Sequence, residues 1–298
     1  MPPPVSNLPP LPVSVVILTC NEERNIADCI ASCRWCDDVH VVDSGSTDAT
    51  RQIAASMGAQ VHVHPFESFG QQRNWAIDHI AALHPWHFHL DADERFTDEL
   101  VREMAAELGP DGQLSDAGAY LVPSKMMLGG KWLRFSGGYP TYQVRLLRVG
   151  KCRFIDFGHG QREQTSEPVR RLRSAYLHYN FSHGMADWLR KHNQYSERES
   201  AEAQEVLANP MRLGELLSRD ATKRRRALKN LSYRLRGRAV WRFVYMYLLR
   251  FGWLDGRAGF QYCVMMSIYE YWTELKLIER RADWSRANAD VAEKLLRE

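Results

Sequence analysis

Val13-Ser14-Val15-Val16-Ile17-Leu18, running into Thr19-Cys20-Asn21-Glu22-Glu23, decides how this chain folds. A short, almost wholly apolar, β-branched run is what a strand buried on both faces looks like, and parallel sheets bury their strands that way. The polar residues after it suit a helix entry, and Ile26, Ile30 and Ser32-Cys33 continue at helical spacing. The rhythm then repeats. Val39-His40-Val41-Val42 reads as a second strand ending at Asp43-Ser44-Gly45-Ser46-Thr47-Asp48, where Ser46, Thr47 or Asp48 can cap a helix over 49–57. Gly58 stops that helix, Val61-His62-Val63 is a third strand, and 71–83 is another helix. Trp86-His87-Phe88-His89-Leu90 is a fourth strand, ending at Asp91-Ala92-Asp93-Glu94. Alternation of this kind builds βαβ units and a mostly parallel α/β sheet of Rossmann-like type.

Outward from that core the texture changes. Strand-like pieces at 119–122, 143–148, 153–157 and 174–177 alternate with Gly- and Pro-containing loops and predict an antiparallel extension. From 186 onward the pattern is helical. The division expected is a Pro-rich, extended lead-in over 1–12, an α/β domain over 13–183, and a helical, basic and aromatic region over 184–298. With 298 residues, 45% of them apolar and 25% charged, the chain can bury a sizeable core, so disorder is not the default reading.

Net charge is +3, but residues 211–257 carry 13 Lys/Arg against 3 Asp/Glu, so that block holds +10 and the remainder −7. Such a block points to an anionic partner: nucleic acid, anionic lipid or a phosphorylated substrate. Cys33-Arg34-Trp35-Cys36 is formally a CxxC, but no second pair follows for zinc, and it closes a helix where a redox motif opens one. The six cysteines read as structural and the compartment as reducing cytoplasm. The N-terminus lacks the basic and apolar regions of a secretory signal, and no run of about 18 apolar residues predicts a membrane span.

The chemistry is expected where parallel strands end. Ligands of such sheets bind outside the carboxyl ends of the strands, and the polar clusters at 19–23, 43–48 and 91–94 all lie there. Asp91 and Asp93 place two carboxylates on one turn, an arrangement that favours a cation between them. A hard divalent ion with oxygen ligands also binds substrate phosphates. The plain alternative is a solvated turn capping the helix from Phe96. Asp43 can accept from a base N–H or a ribose hydroxyl, or serve as a turn residue. Arg73 can meet a base or phosphate, or lie on the surface. No GxGxxG or GxxxxGK[ST] follows any strand, which disfavours dinucleotide binding and P-loop chemistry.

Taken in order, Ser14 to Glu23, Val42-Asp43-Ser44-Gly45-Ser46-Thr47-Asp48 and Leu90-Asp91-Ala92-Asp93-Glu94 resemble the family 2 inverting glycosyltransferases of GT-A fold, in particular the bacterial lipopolysaccharide-core glucosyltransferase group. The likeness covers roughly 13–183, with weaker echoes over 254–260. It implies a hexosyltransferase of cell-envelope, lipopolysaccharide-type biosynthesis, using a nucleotide-sugar donor, a UDP sugar by family habit. It also implies Mn²⁺ or Mg²⁺ as cofactor and a glycan or lipid-linked acceptor. By the same resemblance Thr19, Asn21 and Glu22 match the first donor-contacting loop, Asp43 an acidic nucleoside contact, and Arg73 a basic residue facing the nucleotide. Asp91 and Asp93 match the metal and diphosphate motif, with His178 near a family histidine that joins them. Ser44 departs from the commoner second Asp. Arg145 and Tyr139-Pro140 match positions lining the acceptor side, Arg145 being suited to phosphate or an acidic sugar within the donor-binding set. Inversion needs a general base on the acceptor hydroxyl, for which Glu163, then Asp156, are the candidates.

In the last third, Lys223-Arg224-Arg225-Arg226 and the aromatic stretch 239–254, interrupted by Arg242 and Arg250, suit an anionic headgroup interface. That predicts a cytoplasmic protein peripheral on the inner face of the cell membrane; packing as core or as a dimer is the plain alternative. A nucleic-acid-binding protein is the first rival reading, but no module or aromatic platform stands beside the basic block, so no nucleic-acid partner is expected. A metal-dependent nucleotidyltransferase is the nearer rival. Those enzymes tend to have a Gly-rich, basic loop after the first strand, and 19–23 holds neither Gly nor Lys.

Overall fold

The opening strand β1 (Val13–Thr19) is buried at every residue because both of its faces are covered. Val13, Val15 and Ile17 join a large core with Ile26, Cys29 and Ile30 of α1 (Ile26–Ser32) and Leu100, Met104 and Leu108 of α4 (Asp98–Leu108). Val16 and Leu18 point the other way, to Val42 on β2 (Val39–Asp43) and Ala76 on α3 (Phe69–His79). Period-two alternation into two apolar layers is why the run carries no polar face. The protein is described here from a computed structural model, which describes residues 10–157, 160–209, 214, 217, 218, 220–235 and 237–282. The lead-in over 1–9 and the side chains of Lys223, Arg225 and Arg226 lie outside the described residues.

β2 and β4 (Trp86–Asp91) flank β1 in parallel, and β3 (Gln60–Val63) adds parallel to β2 after α2 (Thr50–Ser56). The order β3-β2-β1-β4 reverses direction at β1, the topological switch point at which such sheets bind ligands. The sheet then continues as the expected antiparallel extension. β8 (Thr141–Arg148) pairs antiparallel with β4, and β6 (Ala119–Leu128) with β8. β12 (Tyr176–His178) and β11 (Val169–Arg171) run parallel to β6, and short β5 (Glu94–Arg95) and β7 (Lys131–Trp132) close the edges. β9 (Arg153–Phe157) and β10 (Gly160–Gln164) form a separate hairpin. Helix entries follow local chemistry: Thr97 accepts from Leu100 N with Asp98 and Glu99 in the first turn of α4, and Ser68 accepts from Gln71 N at α3.

The chain divides into two compact units, one of residues 1–134 and 138–182, the other of 135–137 and 183–298. The second holds α5 (Met185–Ala208), α6 (Ala221–Ser232), α7 (Arg238–Phe243), a π-helical turn Val244–Leu249, a 3₁₀ turn Gly252–Asp255 and α8 (Gly256–Ala282). It is built on polar anchors as much as on apolar area. Glu199 accepts from the hydroxyls of Tyr233 (3.0 Å) and Tyr269 (2.6 Å), Arg238 pairs with Glu270 at 2.6 Å, and Asp255 accepts from Phe135 N and Ser136 N at 3.0 and 2.8 Å. At Gly259 a Cβ would stand 2.3 Å from the Gly252 carbonyl oxygen, so only glycine lets α8 start there. Among the described residues no helix is long and apolar enough to cross a membrane.

All six cysteines are free. Cys33 and Cys36 donate to the carbonyls of Cys29 and Val13, both at 3.2 Å, and burial pushes the Cys36 thiol up to about 12. The CxxC is a packing feature, as its place at the end of α1 implied.

Candidate active site

A cavity of about 330 Å³ opens at the carboxyl ends of β1, β2 and β4, within the usual range of small-molecule sites. Its walls are Leu18, Thr19, Cys20 and Glu22 after β1, Ser44 after β2, Phe66, Phe69 and Gln72 around the start of α3, and Asp91, Ala92 and Asp93 after β4. Each of the three polar clusters singled out in the sequence therefore sends residues to one pocket.

Two loops are laced together to form it. Asn21 adopts φ +55°, a left-handed conformation that asparagine tolerates better than most residues. From there its side chain accepts from Thr47 N at 2.8 Å, while its own N–H donates to Ser46 Oγ at 2.8 Å. Glu22 N donates to Thr50 Oγ1 and Glu23 N to Asp48, so the loop after β1 is held along its length by the loop after β2. Asp43 is fully buried and accepts from Gly45 N, Ser46 N and Ser46 Oγ. It therefore shapes the turn that carries Ser44 and does not itself line the pocket.

Behind the pocket floor lies a buried ionic cluster. Asp91 receives Arg73 on one carboxylate oxygen at 3.0 Å and Arg145 on the other at 2.7 Å. Arg145 also pairs with fully buried Glu94 and lies 5.3 Å from the Tyr176 ring centroid. Both arginines are at most 2% exposed and neither lines the cavity. Burial alone would raise the Asp91 carboxyl, but Arg145 and Arg73 hold it well below the usual carboxylate range. At Glu94 burial, opposed by Arg145 and reinforced by Asp91, pushes the carboxyl up to about 7. Glu94 also accepts from Asp91 N at 2.9 Å, tying the aspartate turn to the cluster.

Asp93 is placed differently. It lines the cavity, pairs with no arginine among the described residues, and has His178 Nε2 at 3.3 Å. Burial lowers the imidazole, but the hydrogen bond to Asp93 and the charges of Glu94, Asp93 and Asp91 prevail and raise it to about 9. β5 and β12 bring the two together: His178 registers against Glu94, and Tyr179 N donates to Asp93 O at 2.9 Å. The Asp93 carboxylate suits Mn²⁺ or Mg²⁺, and the imidazole beside it could join as a ligand only on giving up its proton. Among the described residues no three His, Cys, Asp or Glu side chains form a ready-made cage. Remaining coordination would fall to water and ligand phosphate, the usual condition for Mg²⁺ on one or two protein groups. The residues fit such an ion.

The carboxylates expected to act as base lie elsewhere in the same unit. Glu163 is exposed on β10, opposite Phe154, and does not line the cavity. Asp156, on β9, accepts from Ser68 Oγ at 2.8 Å, so it sits at the start of α3 beside the pocket residue Phe69. Phe66, Phe69, Gln72 and Glu94 carry no role in the sequence reading. A signal for the first two was present: phenylalanines in a short polar loop with no helical or strand partner, which the fold leaves 49% and 48% exposed.

Residues 14–160 match the family described as Glycosyl transferase family 2. The chain carries a family 2 glycosyltransferase domain. The matched residues span the parallel strands, the aspartate turn and β9. Along nearly the whole chain, the protein is 27% identical over 302 residues to the lipopolysaccharide core biosynthesis glycosyltransferase LpsC of Rhizobium meliloti, covering 96% of this chain and 98% of that one. It is 37% identical over 162 residues to the glycosyltransferase AglJ of Haloferax volcanii, covering 51% and 47% of the two chains. Among solved structures, the fold is similar to S. aureus TarS (16% identity, 85% of this chain and 90% of that one, TM-score 0.40). Glucosyl-3-phosphoglycerate synthase of Mycobacterium tuberculosis, crystallised with Mn²⁺ and UDP-glucose, matches at 27% identity over 39% of this chain and 44% of that chain, with TM-score 0.31.

Proposed function

We propose that the family 2 domain transfers a sugar from a UDP-linked donor, with inversion, to a glycan or lipid-linked acceptor of the cell envelope. The observation that carries this reading is the pocket at the ends of β1, β2 and β4, where Asp93 meets His178 at 3.3 Å on one side and Thr19 and Ser44 stand on the other. That polarity suits a ligand with a charged diphosphate end and a nucleoside end.

In this scheme Asp93 and His178 would hold a divalent cation, with Asp91, balanced by its two arginines, supporting them. When bound, the cation offsets charge on the departing diphosphate. Arg73 and Arg145 act through Asp91: they keep that carboxylate ionised and fixed, so the pocket needs no reorganisation as charge develops. Asn21, Glu22 and Asp43 shape the donor loop, and Thr19 and Ser44 face the nucleoside. A single displacement requires a carboxylate to take the acceptor proton. Asp156, exposed like Glu163 but beside the pocket residue Phe69, is favoured by its place. A lipid-linked acceptor fits work at the inner face of the cell membrane. Exposed Trp241, Leu249 and Trp253, with Arg242, Arg250 and Arg257 among them, support docking on an anionic surface.

The decisive experiment is hydrolysis and transfer across a panel of nucleotide sugars with and without Mn²⁺. Turnover of a UDP sugar that disappears with chelator and with Asp93→Ala supports the scheme. Near-normal turnover by Asp93→Ala overturns it.

A further inference from the structure

We propose that the helical unit carries an anion site of its own, a hollow ringed by three arginines that takes a phosphomonoester joined to an apolar or sugar body. The hollow is bounded by the end of α5, the link from α6 to α7, and α8, all within the second unit. It holds about 490 Å³, room for a small molecule and far more than a bare ion needs.

The charges around it are unlike those elsewhere in the unit. On the other faces of these helices basic side chains meet carboxylates: Lys276 and Arg280 both reach Glu197, and Lys229 reaches Glu202 at 3.2 Å. At the hollow, Arg234 instead donates through Nη2 to the backbone oxygens of Asn209 and Val206, at 2.6 and 3.3 Å. Those carbonyls fix its guanidinium without neutralising it. Arg281, on α8, has no carboxylate partner among the described residues. Glu274 is the one acidic residue among those lining the hollow.

Arg238 supplies the second observation. It lines the hollow yet is only 7% exposed. Its Nη2 pairs with Glu270 at 2.6 Å, and its guanidinium carbon lies 4.5 Å from the centroid of the Tyr233 ring, whose hydroxyl donates to Glu199. The group is therefore held in place before any ligand arrives. Its Nη1 is buried and has no hydrogen-bond partner among the described residues. A buried donor on a charged group is costly to leave unmatched, and an acceptor bound in the hollow completes it.

The lining sets the chemistry of that acceptor. Guanidinium forks match phosphate oxygens, and a phosphomonoester brings three acceptor oxygens and close to two negative charges to three arginines. A carboxylate, with two oxygens, leaves one fork unfilled. The remaining wall is apolar: Leu277 is buried, while Leu235 and Ile278 are exposed and gain cover from a ligand's body. Glu274 can accept from a hydroxyl on that body.

Calorimetric titration of the full chain, without divalent metal, tests this with two monoesters, dihexanoyl phosphatidic acid and glucose 6-phosphate. Dihexanoyl phosphatidylcholine and glucose present comparable bodies without the monoester. At least one monoester should bind and its counterpart should not. Arg281→Ala should weaken that binding about fivefold. Arg280→Ala removes the same charge one residue away, from a guanidinium that pairs with Glu197, and should leave binding unchanged. Binding of the lipid alone supports the site and identifies a headgroup. Binding of the sugar phosphate alone supports it and identifies a free phosphate, and binding of both shows that the arginines dominate recognition. Silence from both monoesters, equal binding of a counterpart, or no greater loss from Arg281→Ala than from Arg280→Ala overturns the site and leaves the donor reading of the first unit untouched.

Discussion

Asp91 and Asp93 are two residues apart and do opposite work. Asp91 has both oxygens engaged by buried guanidiniums, so its charge is already balanced, whereas Asp93 lines the cavity and is paired, among the described residues, with His178 alone. Removing Asp93 should therefore cost turnover directly. A loss of several kcal/mol of charge stabilisation corresponds to at least about 100-fold in kcat. Asp91→Asn should instead leave Arg73 and Arg145 buried without a full counter-charge. Its first symptom should be a melting temperature lowered in parallel with activity. Cys20 offers a chemical check on the pocket. It is the exposed thiol of the six and lines the cavity, while burial and the charges of Asp43, Asp48 and Glu22 raise its pKa. Native protein should take up one equivalent of maleimide at Cys20, slowly at pH 7 and faster in alkali. UDP with Mn²⁺ should protect it, and unprotected labelling at the same rate would place the nucleotide elsewhere.

At the level of elements, β4 carries an unusual load. His87 and His89 are buried on the same face of the strand, their rings stacked at 5.8 Å, and none of their four ring nitrogens has a hydrogen-bond partner among the described residues. Burial lowers His87 from 6.5 to about 4 and lowers His89 well below its ordinary value. In the unfolded chain these histidines protonate near 6.5, so between that pH and about 4 the unfolded state binds more protons and stability falls as pH falls. At about 1.4 kcal/mol per pKa unit, His87 alone removes about 3 kcal/mol across that window. Denaturant midpoints measured from pH 7 to 4.5 should fall steadily for the wild type and less for His87→Phe; equal slopes would show that the ring is hydrated. At the start of α8, Gly259→Ala should lower the melting temperature sharply, because a Cβ there meets the Gly252 carbonyl.

For the whole molecule, the question is what the second unit binds. Trp241 (59%), Leu249 (67%) and Trp253 (50%) are more exposed than a soluble surface favours, and Arg242, Arg250 and Arg257 supply positive charge along the same stretch. The protein should co-sediment with vesicles containing phosphatidylglycerol, lose that binding in high salt or with Trp241→Ala/Trp253→Ala, and ignore neutral vesicles. A salt-independent dimer of the same protein, dissolved by the same substitutions, would assign the patch to a second copy.

Much of the first unit was written along the chain. Continuous apolar runs at 13–18 and 86–90 can be satisfied only between two layers, so the parallel sheet, and with it the convergence of three polar loops, follows from local pattern and strand direction. The DxD turn and its loop partners were legible for the same reason. Tertiary structure alone decided how charge is distributed there. Arg73 and Arg145 come from α3 and β8 and Glu94 from the strand edge, and only their packing together determines that Asp91 is spoken for and Asp93 is not. Gln72 and His64 are likewise unremarkable in sequence. Only the fold lays the Gln72 amide between the His64 carbonyl and the Ser44 hydroxyl. Hydrogen-bond direction and buried ion pairing depend on distances between segments remote in sequence, which periodicity does not encode.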